Sequence, residues 1–207
     1  MKKLLIIIFS LIFISHINYL GQSLYSVQVG GGLLIPNNAD RGLSGNIQLN
    51  YKLSEKRSLY FHTGILLWDK NIISIATGYG KPYSSYSESD HVLYPFYFGV
   101  NWNLKSINAF HIYLNSELGY NYLKYYGYKN VIMLDEENKK VISFYADQAS
   151  KKYMSKSLFG AGIGVGIKNM MSSNLGLSIE MKLNTLFYTV DNPKTYYTLS
   201  GNFIFGL

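Results

Sequence analysis

The chain contains no cysteine among its 207 residues. This absence excludes disulfide bonds, thiolate zinc sites and the lipidated cysteine of a bacterial lipoprotein. Charged residues make up only 15% of the sequence, and the formal net charge is +7. The basic residues are scattered, with no run longer than two, so no nucleic-acid partner is expected. Attraction to lipid headgroups and lipopolysaccharide, or simple solvation, fits the charge better.

Long hydrophobic runs are also scarce. After residue 23 no apolar run approaches the roughly 18 residues of a membrane-spanning helix, and the mean hydropathy is only +0.02. Aromatic residues, in contrast, reach 16% and include 20 Tyr. Such a content is typical of proteins that carry aromatic girdles at two membrane interfaces.

Residues 1–23 are predicted to be a cleaved signal peptide. Two lysines precede an apolar run at residues 4–14, which only one serine interrupts. This run is too short to span a bilayer and has the length of a signal-peptide core. Small residues favour cleavage after Ser23, with a cut after Gly21 as the alternative. The mature domain is therefore expected to span residues 24–207 and to leave the cytoplasm.

The mature chain alternates apolar and polar residues with a period of two, which is the pattern of β-strands. Residues 43–53 show it most clearly, and their length matches the roughly 9–11 residues of a tilted transmembrane strand. The same alternation recurs in residues 59–68, 92–104, 110–122, 159–168, 175–184 and 196–207, and more weakly in residues 24–34. The sequence therefore predicts eight strands.

The connections between these strands alternate in length. Tight turns are predicted at residues 54–57, 105–109 and 169–173, and long loops near residues 69–91 and 124–155. This alternation is typical of a transmembrane antiparallel up-and-down β-barrel in a bacterial outer membrane, with the turns and both termini in the periplasm. A soluble sandwich or lipocalin-like barrel is the alternative. It is disfavoured because the apolar face carries no charge and the other face is too polar for a dry core.

Four segments carry strand patterning and turn positions that match a known family: residues 42–71, 94–123, 158–168 (LFGAGIGVGIK) and 197–207 (YTLSGNFIFGL). They resemble the Bacteroidota outer-membrane β-barrel family often called PorT-like. The resemblance implies a small eight-stranded barrel and permits an accessory role in secretion or gliding machinery. Chains of this family usually end in an aromatic residue, whereas this one ends in Leu207. Insertion by the barrel-assembly machinery is still expected.

The predicted lumen face carries several ionisable side chains. The interior of an eight-stranded barrel is just wide enough for its own side chains, and an unpaired charge in so narrow a space is costly. A salt-bridged plug is therefore predicted, with a gated ion path as the alternative. The residues concerned are Lys52, His62, Glu117, Lys168, Glu180 and Lys182.

One predicted strand places a glycine at every second position of the lumen face, at Gly160, Gly162, Gly164 and Gly166. These glycines leave space beside the strand. Large aromatic side chains on the same face of other strands, namely Trp68, Tyr97 and Tyr113, are the candidates to fill it.

The candidate catalytic residues are few. Ser89, Asp90 and His91 are consecutive, but neighbours in an extended chain point to opposite sides, whereas a catalytic triad must converge. A lipid A-modifying enzyme is therefore only an alternative, and no enzymatic activity is expected. No nucleotide-binding loop, zinc spacing or calcium loop occurs, so no cofactor or metal is expected.

The two long loops, at residues 69–90 and 124–155, are rich in tyrosine. Tyrosine-rich loops on a rigid scaffold are good contact surfaces. Their alternative role is to shield the barrel mouth or to form a short hairpin at residues 131–134 and 141–145. We expect a structural or interaction protein with a protein or glycan partner, and a narrow channel is the main alternative. The contact candidates are Tyr79, Tyr83, Tyr86, Tyr125, Tyr126 and Tyr128.

Overall fold

The structure is a computed structural model that describes residues 24–37, 39–69, 74–75, 85–135, 140–187 and 193–207. The predicted signal peptide and the contact candidates Tyr79 and Tyr83 lie outside the described residues. No helix in the described part of the chain is long and apolar enough to cross a membrane.

The described residues form an antiparallel sheet in which eight strands close into a barrel and two short strands extend it. Neighbouring barrel strands follow one another along the chain, and β1 pairs with β10 to complete the ring. The strands are β1 (Leu24–Pro36), β2 (Gly42–Lys52), β3 (Arg57–Trp68), β4 (Ser74–Ile75), β5 (Ser85–Ile107), β6 (Phe110–Asp135), β7 (Lys140–Ala146), β8 (Lys152–Met170), β9 (Leu175–Phe187) and β10 (Pro193–Gly206), with a 3₁₀ turn at Gln148–Ser150. The predicted fold class is confirmed.

The tight turns lie close to their predicted positions. They occupy residues 53–56, 108–109 and 171–174. The middle turn is shorter than the predicted residues 105–109 because β5 continues to Ile107. Asn108 has a φ of 56°, a left-handed conformation that asparagine adopts more readily than most residues. A two-residue turn is therefore sufficient to join β5 to β6.

Strand length differs sharply around the barrel. Five barrel strands have 11–14 residues, but β5 has 23, β6 has 26 and β8 has 19. The three tight turns lie at one end of the barrel, together with the start of β1 and the end of β10. This end is here named the turn end. All the excess length must therefore project from the opposite end, the loop end.

The projecting part is one continuous piece of sheet, here named the blade, which comprises residues 85–91, 125–135 and 140–156. Within it β6 pairs with β5 as far as Lys129 and with β7 from Asn130 to Asp135. The hairpin considered as an alternative at residues 131–134 and 141–145 is present as the pair of β6 and β7. Much of what the alternation assigned to loops is thus regular strand.

The two faces of the barrel wall differ in polarity. The outward face exposes large apolar side chains, such as Leu118 at 57% and Ile179 at 66%. The inward face buries polar ones, and Asn50 and Asn121 are fully buried. A soluble barrel would have the opposite arrangement, whereas a lipid-facing wall around a polar interior has this one.

The lumen space beside the glycines of β8 is filled. A Cβ at Gly160 would meet the Tyr97 hydroxyl, and one at Gly166 would meet the Tyr113 ring. Trp68, the third candidate, lies at the loop end instead, where its ring stacks on His91 at 4.9 Å.

We expect Gly164→Ala to lower the free energy of unfolding by about 1–3 kcal/mol, as overpacking commonly does. The new Cβ would lie 2.6 Å from Asn115 Oδ1, 2.7 Å from Lys182 Cγ and 2.8 Å from the Met181 carbonyl oxygen. Gly201→Ala is the matched control because its Cβ would meet nothing within 4 Å. Urea titration in lipid vesicles measures both, and equal stability of the two variants would contradict the packed lumen.

Candidate functional site in the closed lumen and at the loop end

An ion-pair network crosses the middle of the lumen. The Lys182 ammonium lies 2.9 Å from Glu117 Oε2 and 3.2 Å from Glu180 Oε1. All three residues are buried. Lys182 therefore joins carboxylates from two strands, because Glu117 lies on β6 and Glu180 shares β9 with the lysine.

The glycine strand explains how these side chains meet. β8 lies between β6 and β9, and its register places Gly162 opposite Glu117, Gly164 opposite Lys182 and Gly166 opposite Glu180. Because those positions of β8 carry no side chain, the charged groups of the flanking strands reach each other across it. The ion pair between β6 and β9 therefore requires glycines at alternate positions of β8.

Hydrogen bonds satisfy the carboxylates further. The Tyr60 hydroxyl donates to Glu117 Oε2 at 2.8 Å, and Asn115 Nδ2 donates to Glu180 Oε2 at 2.7 Å. The Tyr113 hydroxyl donates to the same Glu180 oxygen at 3.1 Å. Buried charges are tolerated when a counter-charge and hydrogen-bond donors surround them. The network is therefore fixed from several sides.

Of the six predicted lumen residues, the structure brings four together. His62 Nδ1 lies 3.5 Å from Glu117 Oε2 and joins Glu117, Glu180 and Lys182. Lys168 is half-buried towards the turn end, with its ammonium 6.0 Å from the centroid of the Tyr113 ring.

Lys52 does not lie in the lumen as predicted. Its side chain is exposed, because Lys52 is the last residue of β2 and lies beside the turn. Sequence reasoning also missed the roles of Tyr60 and Asn115. Alternation places both on the inward face, but only the pairing of the strands shows that they meet the carboxylates.

An apolar layer closes the lumen between the network and the loop end. Seven of the eight barrel strands contribute to it, so it extends around nearly the whole circumference. It was not predicted, because the few inward leucines were outnumbered by polar residues in the alternating segments. The layer, here named the apolar plug, comprises Leu34, Leu66, Leu93, Leu123, Tyr125, Leu158, Leu186 and Tyr196.

Above the plug, the His91 ring is stacked between two aromatic rings. Trp68 lies 4.9 Å away on one side and Tyr125 5.3 Å away on the other. His91 Nε2 lies 3.0 Å from Glu88 Oε2, whereas the Ser89 hydroxyl contacts Asp90 and Tyr128. The histidine thus pairs with Glu88, and the consecutive Ser89, Asp90 and His91 do not converge as a triad.

The tyrosines of the blade divide between its two sides. Tyr125 and Tyr128 are buried at 4% and 8% exposure. Tyr126 packs edge-on against the exposed Tyr153, with 5.8 Å between ring centroids. Tyr86 contributes backbone pairing with Lys129. Tyr126 and Tyr128 are alternate residues of β6 and share the outer side of the blade. Tyr125 lies on the inner side, where its ring stacks on His91.

Basic side chains lie against this aromatic surface. The Lys151 ammonium is 4.2 Å from the Tyr126 ring centroid and 5.6 Å from that of Tyr128. A hydrogen bond with the Tyr128 hydroxyl raises the pKa of Lys151. Lys151 therefore remains positively charged at neutral pH, and its charge forms part of the outer surface of the blade.

Solved structures show where this fold occurs. Neisserial surface protein A superimposes with a TM-score of 0.60 at 15% identity, over 90% of this chain and 99% of that one. The attachment invasion locus protein Ail of Yersinia pestis superimposes with a TM-score of 0.50 at 12% identity, over 89% and 99%. The chain has the fold of small outer-membrane β-barrels. No family model and no curated protein matches the sequence.

We expect Lys182→Met to destabilise the barrel by about 3–5 kcal/mol, because two buried carboxylates lose their shared counter-charge. Lys52→Met removes the same charge at an exposed position and should change stability by less than about 0.5 kcal/mol. Urea titration measures both. The double variant Lys182→Met, Glu117→Gln should lose less free energy of unfolding than the sum of the losses in the two single variants. A Lys182→Met effect as small as that of Lys52→Met would contradict the network's role.

Proposed function

We propose that this protein is a non-conducting barrel of the bacterial outer membrane that acts through its blade as a structural or interaction protein, without catalysis. The one-sided length of β5, β6 and β8 carries the proposal. A tilted strand crosses the membrane in roughly 9–11 residues, so β6 with its 26 residues exceeds that need by about 15. Regular sheet built beyond the membrane offers a rigid surface to a partner.

The contents of the lumen support a closed barrel. The ion-pair network occupies its middle, and the apolar plug lies between the network and the loop end. A cavity of about 20 Å³ remains beside His62, Glu180 and Lys182. This is room for about one water molecule and too little for a hydrated ion.

The orientation and the partners follow from the same proposal. The turn end, with both termini, faces the periplasm, and the blade faces outward, as is usual for bacterial barrels. The outer wall contacts membrane lipid and lipopolysaccharide, and the blade binds a protein or glycan. The resemblance to PorT-like barrels of Bacteroidota supports a role as an accessory of secretion or envelope machinery. The barrel-assembly machinery would insert the chain, with Phe203 and Phe205 near its end.

We expect no steady conductance when the refolded protein is inserted in planar bilayers, because the plug and the network fill the lumen. A difference in gel mobility between unheated and boiled samples serves as the control for folding. A steady wild-type conductance that disappears in Glu117→Gln or Glu180→Gln would contradict the closed lumen and favour the channel.

The absence of cysteine allows a clean test of the blade. Ala149 is exposed in the middle of the 3₁₀ turn of the blade and Ser173 is exposed at the turn end, so Ala149→Cys and Ser173→Cys place one thiol at each end. We expect a membrane-impermeant maleimide that carries a photoreactive group to label intact cells at residue 149 only. Illumination should then crosslink residue 149 to a discrete protein or glycan.

Labelling of Ser173→Cys instead of Ala149→Cys in intact cells would contradict the orientation. Labelling at residue 149 without any crosslinked species would contradict the interaction role while leaving the orientation intact. The two readouts therefore test the two parts of the proposal separately.

A further inference from the structure

We infer that the outer wall of the barrel binds a phosphate group of lipid A, the phosphorylated glycolipid of the outer leaflet, with Lys124 as the binding cation. The site lies where β5 and β6 leave the apolar part of the wall. It rests on the proposed insertion in the outer membrane with the loop end outward. It concerns the wall of the barrel, whereas the proposed partner surface is the blade above it.

Two aromatic rings hold the Lys124 side chain. Its ammonium lies 5.2 Å from the centroid of the Tyr94 ring and 5.4 Å from that of the Tyr122 ring. Tyr94 and Tyr122 are directly opposite each other in the β5–β6 pair, and Lys124 follows one outward position later, opposite Val92. A cation above two ring faces is attracted by both. The charge is thus fixed on the outer wall.

The height of Lys124 matches the headgroup region. Along the outward face of β6, Phe110, Leu114, Leu118 and Tyr120 are all exposed. From Phe110 to Tyr122 a strand tilted by about 45° rises roughly 28 Å, and the apolar band of such barrels is about 25 Å tall. Lys124 is the first charged residue on that face of β6, so its ammonium lies just above the acyl chains.

Among the residues that the structure describes, Lys124 has no carboxylate partner. Within the described residues, no carboxylate oxygen lies within 4.0 Å of its ammonium. Lys151, above the Tyr126 ring, adds a second cation further towards the blade. An ammonium has three donors, and its charge-assisted hydrogen bonds to phosphate oxygens are stronger than those to a neutral acceptor such as water. An anion from the surroundings is therefore the complementary group.

The apolar surface directly below the cation selects the kind of anion. Phe96 is 42% and Phe98 53% exposed on β5, next to Leu118 on β6. Lipid A carries acyl chains beneath its phosphate and so matches both the apolar rings and the cation above them, whereas a free phosphate ion or an acidic protein matches only the cation. The combination of an apolar wall and a cation above it therefore fits lipid A better than it fits a free phosphate ion or an acidic protein.

The test uses native mass spectrometry of the refolded full-length mature barrel titrated with purified lipid A. We expect Lys124→Gln to weaken binding about fivefold, the usual contribution of one basic residue at an anionic membrane surface. Lys105→Gln removes the same charge at the turn end and should leave binding unchanged. Lys124→Arg should restore it, because a guanidinium also binds phosphate. Tyr94→Leu should weaken it about two- to fivefold.

The lipid probes separate the sources of the phosphate. Wild-type protein should bind phosphate-free lipid A as weakly as Lys124→Gln binds the phosphorylated form. Equal affinity for phosphatidylglycerol, or displacement of lipid A by millimolar inorganic phosphate, would overturn the assignment to lipid A. Equal losses in Lys124→Gln and Lys105→Gln would overturn the site itself. Since the titration does not depend on orientation in the cell, its failure is distinguishable from failure of the cysteine labelling.

Discussion

The narrow bore of an eight-stranded barrel is the constraint on which the rest of this structure depends. Its interior has room for the side chains of its own strands and for little else. Every large inward group therefore requires a small one opposite or beside it. The glycines of β8 meet this requirement: they accept Tyr97 and Tyr113, and they let Glu117 and Lys182 meet across the strand. In this lumen, the packing of large and small side chains therefore also decides which charged groups can meet.

The lumen is divided along its axis into a charged middle and an apolar upper part. A buried ion pair alone stabilises a protein weakly, because desolvation offsets most of the attraction. The apolar plug contributes what the network does not, since buried leucine side chains contribute roughly 1.5–3 kcal/mol each. The network in turn fixes which inward groups face one another, since Lys182 must lie between two carboxylates. Together, the plug and the network fill the barrel and fix a single arrangement of its inward side chains.

Much of this architecture could be predicted from the sequence. Period-two alternation located the eight strands, and connection lengths located the turns, because both depend on local chemistry. Alternation could not show where each strand ends, so Lys52 was placed in the lumen and β5, β6 and β8 were predicted too short. It also could not give the register between strands. That register decides that Tyr60 contacts Glu117 and that eight residues come together in the apolar plug. Both are visible only in three dimensions.

The wall of this barrel separates two sets of constraints. An inward residue is tied to partners on several strands, as Glu117 is to Tyr60, His62 and Lys182. An outward residue such as Lys124 contacts its neighbours on the surface, here the rings of Tyr94 and Tyr122. Substitutions on the outer wall are therefore expected to leave the filled lumen undisturbed. Solved barrels with only 12–15% identity to this chain share its fold, as expected where a fold depends on alternating polarity more than on particular residues.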